Sequence, residues 1–487
     1  MIRVGAAEIS PDHYIGGERC SSSKTIEVFS PIQQQLLGTV AEASDEHVDA
    51  AVATAQDAFP SWSALGAAGR LPYLQRFAEE IGKRKELFSV VESTDAGVLM
   101  SRMQHGVVAR AMKNIAWFAE RAMALQSKEM ESAQAKHLIL HDPAGVCAII
   151  TPWNAPLMLA TWKVGPALAS GNTVVIKPPE WAPLTSSLLA DAAHAAGVPP
   201  GVLNLVQGTG SQAGARLVAD ERISRVSFTG SVETATKVAQ SAAKNIVPCS
   251  LELGGKSPFI VLEDADLEAA AATGALMYRN ATQVCLAGTR FLVHRSVAEE
   301  FVFRMRAYVE KLVIGDPRHS ETEVGPIIHP SQFKKVCGYV ERAVRSGAEV
   351  LWGGAAHDFG ALYYQPTMLR KVQQSDEIVQ EEVFGPVLVL QEFEDDDEVV
   401  SMANGVGYGL GGVCYGATNH AIQLARRVRT GFIWVNSFGI RDLEAPFGGC
   451  KRSGIGREGG DWSFEFFCDI KDIIVPKQTF KASFSQR

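Results

Sequence analysis

Gly145-Val146-Cys147-Ala148-Ile149-Ile150-Thr151-Pro152 opens the part of the chain whose texture decides the fold. A short, wholly apolar run lies between a glycine and Thr151-Pro152, and residues 173–176, 202–206 and 225–228, each with one or two polar residues, read as further buried strands. Between these runs, 186–196 and 211–219 carry apolar residues at helical spacing. Segments apolar at every position suit strands covered on both faces, and strand-helix-strand alternation implies a parallel sheet with a ligand at its carboxyl edge. A second round follows at Ser257–Val261, 291–293, 387–390, 411–415 and 432–435. The prediction is two α/β domains with a cleft between them.

Outward from this region the pattern changes. Ser44-Asp45-Glu46 reads as a helix N-cap with an acidic first turn, ahead of Val48, Ala51, Val52, Ala55 and Phe59 at helical spacing. Residues 70–125 carry little turn chemistry and predict a long helical stretch. Residues 126–142 are more polar and end in His137-Leu138-Ile139-Leu140-His141, the alternation of an exposed strand or hairpin. The tail 464–487 holds an apolar run at 470–475, too isolated for its own core, which should pair with a strand elsewhere or on another subunit. The acidic run 392–398 reads as a solvated loop leading into a helix rather than a metal site.

Composition limits the partners. Among 487 residues, 46 Lys plus Arg face 54 Asp plus Glu, for a net charge of -8, with no basic stripe to suit nucleic acid. No apolar run reaches the ~18 residues of a membrane span, and the first residues lack a signal-peptide core, so a cytoplasmic protein is expected. The 8 cysteines are scattered without a C-x-x-C pair, which indicates neither a disulfide scaffold nor a zinc site.

Two segments carry candidate chemistry. Gly208-Thr209-Gly210-Ser211-Gln212-Ala213-Gly214 follows an apolar strand and opens a helix, one residue off the dinucleotide fingerprint; a plain tight turn is the competing reading. Phe228-Thr229-Gly230-Ser231 is a similar turn, where N–H groups at a helix start could hold a pyrophosphate. Asn280-Ala281-Thr282-Gln283-Val284-Cys285-Leu286-Ala287-Gly288 places a cysteine in a polar segment just before an apolar strand, unlike most of the other cysteines.

This cysteine segment resembles the N-x-G-Q-x-C motif of the aldehyde dehydrogenase superfamily, with Thr282 where the family usually has glycine. The resemblance spans nearly the whole chain, through Thr151-Pro152-Trp153-Asn154-Ala155-Pro156, Lys177-Pro178-Pro179-Glu180, Leu251-Glu252-Leu253-Gly254-Gly255-Lys256, Glu381-Glu382-Val383-Phe384-Gly385-Pro386 and Pro446-Phe447-Gly448-Gly449. It implies a Rossmann-like NAD-binding domain (1–124 and 145–253), a thiol catalytic domain (254–463) and a small β oligomerisation element (125–144 and 464–487), in a homodimer or homotetramer. It also implies Cys285 as nucleophile, Asn154 with the Cys285 N–H as oxyanion hole, and Glu252 as general base. For the cofactor it implies Trp153, Lys177, Glu180, Gly210, Gly230, Ser231, Glu382 and Phe384, and a carboxylate at Glu180 should favour NAD over NADP by repelling a 2'-phosphate. Taken singly, Cys285 could be a structural thiol, Glu252 a surface carboxylate and Asn154 a turn cap.

The same resemblance puts Ala155, Met158, Trp162, Phe438 and Arg441 along the aldehyde tunnel. Arg441-Asp442-Leu443, the segments 446–449 and 453–460, and Arg110-Ala111-Met112-Lys113-Asn114 are most similar to hydroxymuconic semialdehyde dehydrogenases of aromatic catabolism. Arg110 and Arg441 at the mouth would suit a substrate with an aldehyde at one end and a carboxylate at the other. Alternatively, Arg110 pairs with a helix neighbour and Arg441 with Asp442 or Glu444, and the enzyme is a broad-specificity aromatic or aliphatic aldehyde dehydrogenase. A non-catalytic binding protein would be expected to lose Cys285 or Glu252, and both are present.

Overall fold

The computed structural model describes residues 1–125 and 128–479, so 126–127 of the expected hairpin segment and 480–487 of the tail lie outside the described residues. The apolar runs form two separate sheets. In the first, β1 (Val146–Ile150), β2 (Thr173–Lys177), β3 (Leu203–Leu205), β4 (Ile223–Gly230) and β5 (Cys249–Leu253) lie parallel in the order β5-β4-β1-β2-β3. The order reverses between β1 and β4, so their carboxyl ends part into a crevice. His13–Ile15 with Glu18–Cys20 extends this sheet at one edge, and Gly454–Ile455 closes the other by pairing with β5.

The second sheet runs β8 (Glu349–Trp352), β9 (Thr367–Arg370), β10 (Val387–Phe393), β7 (Gly288–His294), β6 (Ser257–Val261), β11 (Val413–Tyr415) and β12 (Trp434–Val435). All neighbours are parallel except β8 with β9. The helix α1 (Asp45–Ala64) begins at Ser44 in a reciprocal cap with His47, and buries Val48, Ala51, Val52 and Ala55. Phe59 is only half-buried, and Trp62 fills the last turn instead.

The expected continuous helix over 70–125 is broken. It stops at Arg84 and again after Asp95, where Gly97 takes a left-handed φ of 68°, before α2 (Val108–Ala124) resumes through a π-turn. Glycine reaches that conformation without a Cβ penalty. Next, α3 (Pro156–Ser170) is buried on nearly every face, and α2 packs along it. A Cβ on Gly165 would lie 2.7 Å from the Asn114 carbonyl, so the two helices approach backbone to backbone.

The polar alternation at 137–141 lies in Ala135–Pro143, a hairpin strand paired with Lys128–Glu131. The tail strand Cys468–Pro476 pairs with the other edge of Ala135–Pro143 within the same chain, leaving Ile470 and Ile474 each 60% exposed. The acidic run 392–398 leads into a helix as expected, Asp396–Asn404 capped by Asp395, but it is not all loop: Glu392 and Phe393 end β10. No helix among the described residues is long and apolar enough to cross a membrane.

Candidate active site

A cavity of about 720 Å³ opens at the carboxyl ends of β1, β2, β4 and β5, at the switch point of the first sheet. Each residue expected at the cofactor lines it: Trp153, Lys177, Glu180, Gly210, Gly230, Ser231, Glu382 and Phe384. Lys177 ends β2 buried, its Nζ donating to Glu180 Oε2 and to the Gly208 carbonyl, both at 3.2 Å. Burial lowers the Lys177 ammonium, and Glu180 opposes the shift. Ser231 caps α4 (Val232–Ala243), accepting from the Thr234 N–H at 3.2 Å, so the helix N-terminus faces the cavity. The Gly-rich turn is a π-turn over Gly210–Gly214, with no atom within 4 Å of where a Gly210 Cβ would stand. Gln332 and Lys335 also line the wall, and neither lies in a motif recognisable from the sequence.

Cys285 and Asn154 lie on the same cavity wall. The cysteine follows a left-handed turn in which Asn280, Ala281 and Thr282 have φ of 57°, 52° and 54°, before β7 begins. Three bonds hold this turn. Thr282 Oγ1 donates to the Met277 carbonyl at 2.8 Å, Gln283 Nε2 to the Pro326 carbonyl at 3.0 Å, and the Ile328 N–H to Gln283 Oε1 at 2.9 Å. The Asn154 amide donates to the Gln283 carbonyl at 2.9 Å. It ties the β1 exit to the cysteine loop and keeps a second N–H for another acceptor.

Glu252 sits on β5 and is buried, not at the surface; among the described residues neither carboxylate oxygen has a hydrogen-bond partner. A Cβ on Gly448 would come within 2.6 Å of its Oε1. The Gly-Gly step after it has a visible reason: a Gly254 Cβ would collide with the Glu382 carboxylate, and one on Gly255 would meet the Cys285 carbonyl at 3.2 Å. Glu382 Oε1 accepts from the Gly255 N–H at 2.8 Å.

Burial sets the resting protonation. It pushes Glu252 well above the carboxylate range, helped by Glu458 and opposed by Lys163, Arg457 and Arg441. Glu382 is raised to about 7 by burial, against its bond from Gly255. The Cys285 thiol is pushed up to about 12 by burial and by the facing Glu382, while Arg441 pulls it down. A thiol placed this way rests protonated and needs a base before it can attack.

The sequence reading missed the charged pair beneath Glu252. Lys163, from apolar α3, donates to Glu458 Oε1 at 2.5 Å, and Trp162 Nε1 donates to Glu458 Oε2 at 2.6 Å. The available signal was a lysine inside an otherwise apolar helix.

The expected substrate residues lie outside the wall of the cofactor cavity. Ala155 is the buried N-cap of α3, and Met158 and Trp162 follow one and two turns later on the same helix. Phe438 stacks edge-on against Trp434 at 4.9 Å. Arg110 does pair with a helix neighbour, through Nε to Asn114 Oδ1 at 3.0 Å, and also donates to the Arg441 carbonyl at 3.0 Å. Arg441 pairs with neither Asp442 nor Glu444; its guanidinium lies over the rings of Phe447 at 3.8 Å and Trp162 at 5.3 Å.

Comparison with known proteins agrees with this geometry: the aldehyde dehydrogenase family model matches residues 19–473. The chain belongs to the aldehyde dehydrogenase family. It is 39% identical to 2-hydroxymuconic semialdehyde dehydrogenase of Pseudomonas sp. (strain CF600), over 95% of this chain and 99% of that protein. It is 36% identical to the chloroplastic betaine aldehyde dehydrogenase of Amaranthus hypochondriacus, over 93% of each chain. Among solved structures, the indole-3-acetaldehyde dehydrogenase of P. syringae, a mutant in complex with NAD+ and IAA, superposes with a TM-score of 0.94 at 34% identity, covering 97% of this chain and 98% of that one. Relatives at similar identity differ in their named aldehydes, so overall identity alone does not fix the substrate.

Proposed function

We propose that this aldehyde dehydrogenase oxidises a carboxylate-bearing, muconic-type semialdehyde to the dicarboxylic acid, with NAD as acceptor. The observation that carries the reading is that Cys285, Asn154 and the Lys177/Glu180 pair line one cavity at the sheet's switch point. The fit to NAD rests on chemistry present in the chain: an ammonium beside a carboxylate for a ribose diol, a helix N-terminus for pyrophosphate, and Gly254, where a side chain would collide with Glu382. Lys177, Glu180, Gly210, Gly230 and Ser231 would hold the adenosine and pyrophosphate part, and Trp153, Glu382 and Phe384 the nicotinamide end. Glu180 would repel a 2'-phosphate, which favours NAD over NADP.

In the proposed mechanism, the Cys285 thiol gives its proton to a water in the cavity acting as base, and the thiolate Sγ then bonds to the aldehyde carbon as the C=O π bond opens. The carbonyl oxygen becomes an alkoxide, stabilised by the free Asn154 amide N–H and the Cys285 N–H. NAD, when bound, supplies the acceptor for the hydride released as the alkoxide becomes a thioester. Glu252 then takes a proton from water, the resulting hydroxide attacks the thioester carbon, the C–S bond breaks and the acid leaves. A water-activating carboxylate here favours hydrolysis over transfer of the acyl group to CoA.

For the substrate, Arg441 is the supporting observation. Among the described residues its guanidinium has no hydrogen-bond partner, and a half-buried cation in that state suits an anionic ligand. Ala155, Met158, Trp162 and Phe438 would supply the apolar wall. The alternative is a broad-specificity aromatic or aliphatic aldehyde dehydrogenase.

We divide the chain into an NAD-binding domain (1–124 and 145–253), a catalytic domain (254–463) and an oligomerisation element (125–144 and 464–487). The exposed Ile470 and Ile474 on the three-stranded sheet support a homodimer or homotetramer, and a cytoplasmic location completes the reading.

The test is a kinetic panel of 2-hydroxymuconic semialdehyde, benzaldehyde and short aliphatic aldehydes, following NADH and acid together. One NADH per acid is expected, with kcat/KM highest for the semialdehyde and lower with NADP. Arg441→Ala should raise KM for the semialdehyde selectively; an unchanged KM sinks the carboxylate reading, since benzaldehyde controls for the effect of Arg441 on the thiol.

A further inference from the structure

We infer that Asn114 is a positioning residue that fixes the Arg110–Arg441 pair and so sets selectivity for aldehydes with a second, anionic end. The inference rests on the reading of Arg441 as the carboxylate-binding group. Asn114 is fully buried on α2, four residues after Arg110 and therefore on the same helix face. Both ends of its amide are engaged. Oδ1 accepts from Arg110 Nε at 3.0 Å, while Nδ2 donates to the Met158 carbonyl and to Thr161 Oγ1, each at 3.1 Å. Its own backbone carbonyl faces Gly165 at the tightest approach of α2 and α3.

The contacts run in series. Helix α3 holds Asn114, Asn114 holds Arg110 by Nε, and Arg110 reaches across to the Arg441 carbonyl at 3.0 Å. The Arg110 guanidinium also lies 5.2 Å from the centre of the Trp162 ring that Arg441 covers at 5.3 Å. Arg110 is thus committed to two acceptors, and the Arg441 side chain keeps its donors for a ligand. Without Asn114, Arg110 regains its rotamer freedom and the backbone of Arg441 loses its tether.

Asn114→Ala should raise KM for 2-hydroxymuconic semialdehyde about ten-fold, the loss of a hydrogen bond to a charged group, with benzaldehyde kcat/KM within two-fold of the parent. In an Arg110→Ala background, Asn114→Ala should change nothing further for the semialdehyde. Should Asn114→Ala not fold, Asn114→Ser, whose hydroxyl is too short to reach Arg110, carries the same comparison. Equal losses for both aldehydes, or additive effects in the double variant, would each overturn the inference. An unchanged semialdehyde KM in Arg441→Ala is a separate result, because it removes the carboxylate reading itself.

Discussion

The side-chain amide of Asn154 donates to the backbone carbonyl of Gln283 at 2.9 Å, two residues ahead of Cys285. One N–H thus anchors the cysteine loop, and the second remains available to the alkoxide in the proposed mechanism. Asn154→Ala should lower kcat by about 10²–10³, the usual cost of one oxyanion donor. NAD affinity, measured by fluorescence titration, should stay within two-fold. A loss below five-fold in kcat would remove Asn154 from the oxyanion hole and leave it a loop anchor.

Glu252 has to be ionised to accept a proton from water, yet burial and the neighbouring Glu458 hold it well above the carboxylate range. Its ionised fraction therefore grows as pH rises, and thioester hydrolysis should speed up with pH until Glu252 is fully ionised. Glu252→Gln should flatten that limb and cut steady turnover by about 10²–10⁴. Rapid mixing should still show one NADH per site in the first turnover, because acylation uses other groups. Absence of that burst would place Glu252 ahead of hydride transfer.

How much of this was legible in the sequence follows from the range of the forces involved. Val146–Ile150 was read to the residue because a strand buried on both faces is apolar at every position, and Ser257–Val261 was read from its Phe259-Ile260-Val261 core. The helix break at Gly97 was missed because the flanking apolar spacing continues across it. Cys285, Asn154 and Glu252 came from motifs, and a motif does not report that Glu252 lacks hydrogen-bond partners or that Asn154 is already donating. Glu458 and Lys163 were missed because their link spans 295 residues of chain, and only folding shows that the lysine in an apolar helix meets a carboxylate.

The Lys163–Glu458 pair yields a prediction of its own. Lys163 is fully buried, and Glu458 also accepts from Trp162. Lys163→Met leaves a buried carboxylate uncompensated and should cost about 3–5 kcal/mol in urea unfolding, whereas Lys163→Met with Glu458→Gln should cost less. The ammonium also pulls Glu252 down. Its removal should shift the rising limb of the hydrolysis profile to higher pH, and a shift to lower pH would contradict the assigned electrostatics.

Thr282 is a β-branched residue at a φ of 54°, a conformation that costs such a side chain about 1–3 kcal/mol. Its hydroxyl bond to the Met277 carbonyl, at 2.8 Å, offsets part of that. Thr282→Gly relieves the strain but loses the bond and adds flexibility to the unfolded chain, about 0.5–1 kcal/mol, so stability should change by no more than about 1 kcal/mol. Thr282→Val keeps the strain and leaves the Met277 carbonyl without the hydroxyl, and should cost about 1–3 kcal/mol. The order parent ≈ Gly above Val, read from denaturant midpoints, is the outcome that assigns the threonine's role to its hydroxyl. If Val matches the parent and Gly falls well below both, the β-branched side chain itself holds the turn, and the hydroxyl bond is incidental.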